Sequence, residues 1–452
     1  MRPDTGLRLG ITLGWAIALV SFFRYWEVVL RLRGLLFWTV VFLALYLANA
    51  AAIHGAALRS LTHPVWRAAT IWGMLVLITL AGHLLVPSVR LFGLPVPTIA
   101  LVGALDVGFP LWIMLRGLTE TWPGRERWLV LGAIPIYLLV LMGAFVIRTP
   151  GRAYDGPLAP LTDQEQALRD ALERHVRMLS DTIGERHAGT YPALVGARDY
   201  LANELARAGF AVDTQAFVVE GQWYHNLEAT VPGSSRAEES IVVGAHYDTA
   251  EGTPGADDNA TGAAALLELA RQLAGARPAR TLRFVFFPNE EPPFFATDQM
   301  GSWAYAARAA ARGDRIPAMI SLETIGFYST APGSQRYPFP FSLFYPDRGD
   351  FIAFVGNLDS RGLMRDAIGA FRRSVRFPSQ GAAAPAWIPG ISWSDHQSFW
   401  LHGYQAIMIS DTAPFRNPHY HQPGDTADRL DFERMARVVA GLLTVIEQLA
   451  GS

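Results

Sequence analysis

The sequence predicts an α/β domain built on a mixed, mostly parallel central sheet flanked by helices, preceded by an all-α polytopic transmembrane region. Two observations carry this expectation. Long apolar runs crowd the first third of the 452 residues and stop near residue 150, and beyond them short apolar segments alternate with helical patterns. The expected organisation is a transmembrane region over 1–150, a linker over 151–162 and a soluble domain over 163–452.

The apolar runs are 9–23, 35–52, 66–86, 91–115 and 128–147, several of them near the ~20 residues that a bilayer core demands. The first is short and follows Arg2 and Arg8 in the manner of a secretory signal. The small-x-small triplets before Arg24, such as Ala16-Ile-Ala18, lie within the apolar run and not beyond it, so the run reads as an uncleaved anchor. Pro95, Pro97 and Pro110 interrupt the fourth run, which would also bury Asp106, so four and five spans both remain open. Asp106, beside a helix break, reads as a satisfied loop or interface group and not as part of a transport pathway. Arginines flank nearly every run, among them Arg31, Arg33, Arg59, Arg67, Arg125 and Arg127, so the positive-inside rule selects no orientation. A multi-pass integral membrane protein is expected, with the extracytoplasmic side preferred for the soluble domain.

Composition removes several chemistries. There is no cysteine, hence no disulfide, thiolate nucleophile or cysteine-ligated metal. All 38 basic residues are arginine, which excludes a lysine Schiff base or lysine general base. Those 38 stand against 40 acidic residues, a balance without a nucleic-acid signature. No Gly-x-Ser-x-Gly elbow or phosphate-cradling loop occurs in the soluble half.

The segment Arg-Thr-Pro-Gly-Arg-Ala-Tyr-Asp-Gly-Pro-Leu-Ala-Pro-Leu over 148–161 is turn-rich and marks the passage into that half. Helical patterns are expected at 163–179, 197–208, 260–274 and 431–449, and strands at 211–219, 226–231, 240–245, 281–287, 318–322 and 406–409. Several of these strands are apolar throughout, as buried strands covered on both faces should be. In open α/β sheets ligands gather beyond the carboxyl ends of the strands, and polar clusters follow those ending at Ala245, Phe287, Leu322 and Ile409.

Those clusters carry the chemistry. In Gly244-Ala-His-Tyr-Asp248, His246 and Asp248 are two apart and face one side of an extended chain, so one can bind a metal while the other orients it. Taken alone, the pair is better explained by an ordinary strand-end hydrogen bond. In Gly255-Ala-Asp-Asp-Asn-Ala-Thr-Gly262, helix capping accounts for one acid but not for Asp257 and Asp258 side by side, unless a cation offsets their repulsion. Glu290 and Glu291 follow a buried strand as a carboxylate pair that can divide labour, one coordinating a cation while the other moves a proton. A solvated turn is the alternative. Glu323 ends a further strand, and His419-Tyr-His421 precedes Gln-Pro-Gly-Asp425 near the end of the chain. Each has an ordinary reading alone; together they form a ligand set.

In this order the motifs resemble metallopeptidase family 28, the co-catalytic two-zinc aminopeptidases with glutamate carboxypeptidase-like and glutaminyl cyclase-like relatives, over residues 165–450. The resemblance implies a zinc exopeptidase-type domain holding two zinc ions. Asp258 would bridge them, His246 and Glu323 would complete one site, and Glu291 and His421 the other. Glu290 matches the general base. Tyr420 is a candidate oxyanion donor, with a packed aromatic as the alternative, and Asp248, Asp257, Asp395 and His396 would support the ligands. Many members have Asp where this chain has Glu323, and many have a cis peptide after the bridging Asp, here Asp258-Asn259.

The function so implied is that of a membrane-anchored aminopeptidase, hydrolysing N-terminal peptide bonds or amides with a water activated between two metals. Its partners would be a peptide substrate and the lipid bilayer, with no nucleic acid; nothing in the sequence specifies an oligomeric state. A one-zinc glutaminyl cyclase-like acyltransferase and a non-catalytic membrane receptor or scaffold are the alternatives. The chain departs from the pattern over Pro292-Pro-Phe-Phe-Ala-Thr-Asp-Gln-Met-Gly301, which replaces a shorter turn. Its aromatics would contact either a substrate side chain or a neighbouring protein.

Overall fold

The computed structural model describes residues 146–451 together with 88–91 and 94–97. The chain divides into two units, Met1–Val140 and Leu141–Ser452. In the first, β1 (Ser88–Leu91) and β2 (Leu94–Pro97) pair antiparallel with Leu91 opposite Leu94. The start of the fourth apolar run, whose span the sequence left open, is therefore extended. Pro95 and Pro97 explain this, because each lacks a backbone N–H and has a ring that clashes with a preceding helical turn. The remaining expected spans lie outside the described residues. Among the described residues no helix is long and apolar enough to cross a membrane.

In the second unit, α1 (Asp163–Arg177) opens on a capping box. Thr162 Oγ1 accepts from the Glu165 N–H while the Glu165 carboxylate accepts from the Thr162 N–H, satisfying two otherwise unpaired donors. Then come α2 (Tyr191–Arg207), β3 (Asp213–Val219), β4 (Gln222–Val231), β5 (Arg236–His246) and α3 (Gly262–Leu273). The chain continues through β6 (Arg280–Phe287), α4 (Gly301–Arg312), β7 (Arg315–Glu323), β8 (Ile352–Gly356), α5 (Arg361–Ser374) and β9 (Ser379–Ala383). It ends with α6 (His396–Leu401), β10 (Ala406–Ser410), α7 (Ala413–Arg416) and α8 (Phe432–Ala450).

The eight strands β3 to β10 form one sheet in the order β3-β4-β6-β5-β7-β10-β8-β9. The central four, β6-β5-β7-β10, are mutually parallel, β8 pairs parallel with β9, and the other three pairings are antiparallel. Side chains alternate across the sheet. Ile241, Val243 and Ala245 of β5 enter a core closed by α1, α2, α3, α5 and α8, whereas Val242, with Val285, Phe287 and Met319, packs against Tyr305, Ala306 and Ala309 of α4 and Phe399 of α6. With both faces covered, these strands must be apolar at nearly every position, which is why they read as continuous hydrophobic runs.

Parallel alignment delivers the site. His246 pairs with Phe287, Ser410 pairs with Glu323, and Gly244 pairs with Ser321 two residues before each strand ends. The residues following β5, β6, β7 and β10 thus emerge at one edge of the sheet. The segment before α1 lies along the domain. Arg365 donates to Arg148 O at 2.6 Å, Arg372 to Thr149 Oγ1 at 2.9 Å and to Pro150 O at 2.8 Å, and Arg437 to Ala159 O.

Candidate metal centre

His246, the last residue of β5, is fully buried at that edge. Its Nε2 lies 3.3 Å from Asp258 Oδ1 and 3.3 Å from Glu323 Oε2. The other Asp258 oxygen, Oδ2, lies 3.0 Å from His421 Nε2, which is in turn 3.2 Å from Glu291 Oε2. Two trios, His246-Asp258-Glu323 and Asp258-Glu291-His421, therefore share Asp258, and the candidate ligand atoms within each trio lie within 4.8 Å of one another. Both Asp258 oxygens, both His246 nitrogens and His421 Nε2 are buried without a hydrogen-bond partner. Buried polar atoms are almost always paired. Four of these five, His246 Nε2, both Asp258 oxygens and His421 Nε2, converge as imidazole and carboxylate donors of the kind that a cation such as zinc satisfies, while His246 Nδ1 faces Asp248.

The surroundings hold these ligands from behind. Asp248 accepts from the Glu290 N–H at 3.2 Å through Oδ1 and from the Glu291 N–H at 3.1 Å through Oδ2, and its Oδ1 lies 3.4 Å from His246 Nδ1. One carboxylate thus orients an imidazole and fixes the turn that presents both glutamates. Asp425 does the same for the other loop, accepting from the Asp257 and Asp258 N–H groups at 3.0 and 3.1 Å. Asp257 points away from the ligands, accepting from Gly326 N–H and Asn417 Nδ2. The Asp258-Asn259 peptide is cis, and the Asn259 side chain donates to Leu322 O and accepts from the Gly262 and Thr324 N–H groups. Ser394 Oγ donates to Glu323 Oε2 at 2.7 Å.

Beneath the loop sits Arg186, wholly buried. Its guanidinium donates to the carbonyls of Leu179, Gly184, Tyr247, Pro254 and Gly255 over 2.8–3.2 Å. Burial pulls its pKa down to about 10, although Asp248, Asp425, Asp258 and Glu291 favour the charge. Gly255 turns the loop at φ +60°, where a Cβ would lie 2.4 Å from Asp258 O. Only glycine fits so close an approach.

Charge is concentrated here. Burial opposes protonation of His246, but Glu323, Glu290, Asp248 and Asp258 raise its pKa well above the usual imidazole value. His421 is pushed up to about 10 because Asp258 and Glu291 outweigh its burial. Burial and the Asp258 charge push Glu291 up to about 8. Burial also lifts Glu290 well above the carboxylate range, with Glu323 and Glu291 adding to the effect and His246 opposing it. Asp258 moves the other way, its burial overcome by the two histidines. Glu290 Oε2 is 3.9 Å from His246 Nε2, farther than any of the shared-ligand contacts.

Tyr420 stacks on His421 with ring centroids 3.9 Å apart. Burial and the facing carboxylates Asp258, Glu291, Glu323 and Glu290 hold its phenol far above the usual range, so it stays protonated. Asp395 is fully buried, and burial pushes it up to about 7. His396 turns from the acids: its Nε2 meets Ile391 O at 2.8 Å, its ring stands edge-on to Trp400, and burial pulls it down to about 4.

A cleft enclosing about 790 Å³, open mouth included, adjoins Glu323 and Tyr420. Tyr337, Phe341, Tyr345, Trp393 and Met408 are among its walls. The 292–301 segment does not line it: Phe294 is buried in the main core, edge-on to Tyr224 of β4. Phe294 is therefore docked internally, and among the residues that wall the cleft those at 335–345 and 389–393 were not singled out by sequence patterns.

A model of Peptidase family M28 matches residues 226–446. The protein YfbL of Escherichia coli (strain K12), itself uncharacterized, is 42% identical over 286 residues, covering 61% of this chain and 87% of that protein. A probable leucine aminopeptidase of Trichophyton verrucosum (strain HKI 0517) is 28% identical over 236 residues, 48% of this chain and 56% of that protein, so the match spans little more than half its length. The structure of BSAP, a zinc aminopeptidase from Bacillus subtilis, superposes with a TM-score of 0.50 over 62% of this chain and 94% of that one, at 14% identity, a likeness of fold. By its match to the family model and its identity with YfbL, the chain belongs to Peptidase family M28.

Proposed function

We propose that the chain is a zinc-dependent exopeptidase that removes residues from peptide N-termini and is held at a membrane by its first 150 residues. The observation that carries this reading is Asp258, one oxygen turned to His246 and the other to His421, with neither oxygen hydrogen-bonded. His246 and Glu323 would hold one zinc ion, Glu291 and His421 a second, and Asp258 both. Zinc bound there would supply Lewis-acid chemistry, activating water and polarising the scissile carbonyl.

The chain's own residues supply the rest. Glu290, buried and raised in pKa, takes a proton from the attacking water and delivers it to the leaving amine. Asp248 fixes the backbone that carries it. The protonated Tyr420 phenol donates toward the carbonyl oxygen as negative charge develops. The apolar cleft beside Glu323 accepts the side chain of the N-terminal residue. Zinc as the metal is supported by family membership and by the imidazole and carboxylate donors, and the anchor by the apolar runs before residue 150.

The test is turnover of a panel of aminoacyl anilides by the full chain with zinc, after chelation, and in Glu290→Gln. Chelation should abolish turnover and zinc restore it. E290Q should bind zinc as the wild type does while losing on the order of 10²–10⁴-fold in rate. Zinc binding without turnover of any substrate overturns the hydrolase reading, and conversion of N-terminal glutamine to pyroglutamate would replace it with a cyclase.

A further inference from the structure

We infer that the aromatic rim of the cleft rests on a lipid surface. Nine large hydrophobic side chains are exposed among the described residues, and five of them, Phe339, Leu343, Phe344, Trp387 and Trp393, lie on two loops, 337–346 and 384–394. Phe339 and Trp387 are 82% and 81% exposed. Residues 337–346 and 384–394 carry no charge, in a chain that is 17% charged, although Arg336, Asp347 and Arg348 flank the first stretch and the buried Asp395 the second. A clustered apolar surface of this kind marks an interaction site, and these loops also wall the cleft, through Tyr337, Phe341 and Trp393 among others.

The place where the chain leaves the described residues selects the occupant. Val146 is buried in the same small core as Phe341 and Ile391, and Ile147 and Ile388 pack against that core. Val146 and Ile147, the last residues of the apolar run 128–147, therefore pack against the two loops, and a run of that length suffices to span a bilayer. A span ending there sets the boundary between lipid and water within a few residues of the rim. Tryptophan and phenylalanine on uncharged loops are suited to that boundary, where an amphipathic or apolar ring sits at headgroup level. The inference rests on the membrane-anchor reading above. Its consequence is a cleft mouth held at the membrane, open to peptide N-termini that lie at or emerge from the lipid surface.

Because the chain has no cysteine, single cysteines can carry an environment-sensitive dye in the full chain, reconstituted into phosphatidylcholine and phosphatidylglycerol vesicles. F339C and W387C report on the rim. V218C reports from β3, the opposite edge of the sheet, where Val218 is 51% exposed. Zinc content equal to that of the wild type certifies that each variant is folded. The expected result is a chain that stays with the vesicles through alkaline washing, with a blue shift and quenching by brominated lipid at 339 and 387, and an aqueous, unquenched dye at 218. A retained chain whose three dyes are all aqueous, or all equally quenched, overturns the rim and leaves the anchor standing. A blue shift without quenching by lipid means that protein covers the rim, either a second copy or this chain's own apolar segments, and also overturns it. Release by alkaline washing overturns anchor and rim together.

Discussion

Asp248 is expected to govern metal binding without being a ligand. Its two oxygens accept from the Glu290 and Glu291 N–H groups at 3.2 and 3.1 Å, and Oδ1 also faces His246 Nδ1 at 3.4 Å. A hydrogen bond to a charged acceptor is worth about 1.5–3 kcal/mol. Asp248→Asn keeps one acceptor and turns an amide N–H₂ toward a backbone donor, so one such bond is lost. Falling wholly on the metal-bound state, that loss weakens zinc affinity roughly 10- to 150-fold, in line with the effect of removing a partner that orients a metal-ligating histidine. Asp248→Ala removes both acceptors and should cost more. The assay is competition for zinc against a chromogenic chelator, with each variant's folding confirmed by near-UV circular dichroism. Zinc affinities for D248N and D248A indistinguishable from the wild type would refute the reasoning, because Asp248 would then be a bystander to the two glutamates and His246.

Arg186→Met deprives five buried carbonyls of their shared donor. Even with water replacing most of these bonds, the stability loss should exceed about 3 kcal/mol, read as a lowered urea midpoint, with Arg186→Lys intermediate because an ammonium has fewer donors. His396 is buried neutral and titrates at about 4 in the fold, against about 6.5 in the unfolded chain. The unfolded state binds the extra proton between these values, so the contribution is fully present above the unfolded pKa and is lost as pH falls through that window. The wild type should therefore lose about 3 kcal/mol more than His396→Gln on acidification from neutrality to pH 4, measured as the difference between their unfolding free energies at the two pH values.

His246, Glu291 and Glu323 were legible in the sequence because they end or closely follow apolar strands, and a covered parallel sheet makes those strands apolar throughout, whereas Asp258 and His421 stand in loops well beyond β5 and β10 and were legible only as motifs. β5, β6, β7 and β10 were all anticipated within a few residues of their ends, except that β5 begins earlier, at Arg236. β8 and β9 were not anticipated: each is five residues long, and β9 reads Ser-Gln-Gly-Ala-Ala, without a β-branched or aromatic residue to mark it. Helices α4, α5 and α6 were missed too, the last being only six residues long.

Around the site, what stayed hidden were the residues whose partners are distant in sequence. Asp425 bonds N–H groups 167 and 168 residues away, and Arg186 reaches carbonyls at Tyr247, Pro254 and Gly255, at least 61 residues on. Ser394 reaches Glu323 across 71 residues. No local periodicity announces such contacts. His396 was grouped with the site because the segment Ser394–Phe399 resembles one of the family, but its ring serves the backbone of the cleft loop at Ile391.

The most direct measurement is an anomalous difference map at the zinc edge from crystals of the zinc-loaded protein. Two peaks are predicted, one on each side of Asp258, the first among His246, Asp258 and Glu323 and the second among Asp258, Glu291 and His421. A single peak at full zinc occupancy, or two that do not share Asp258, would contradict the two-metal centre.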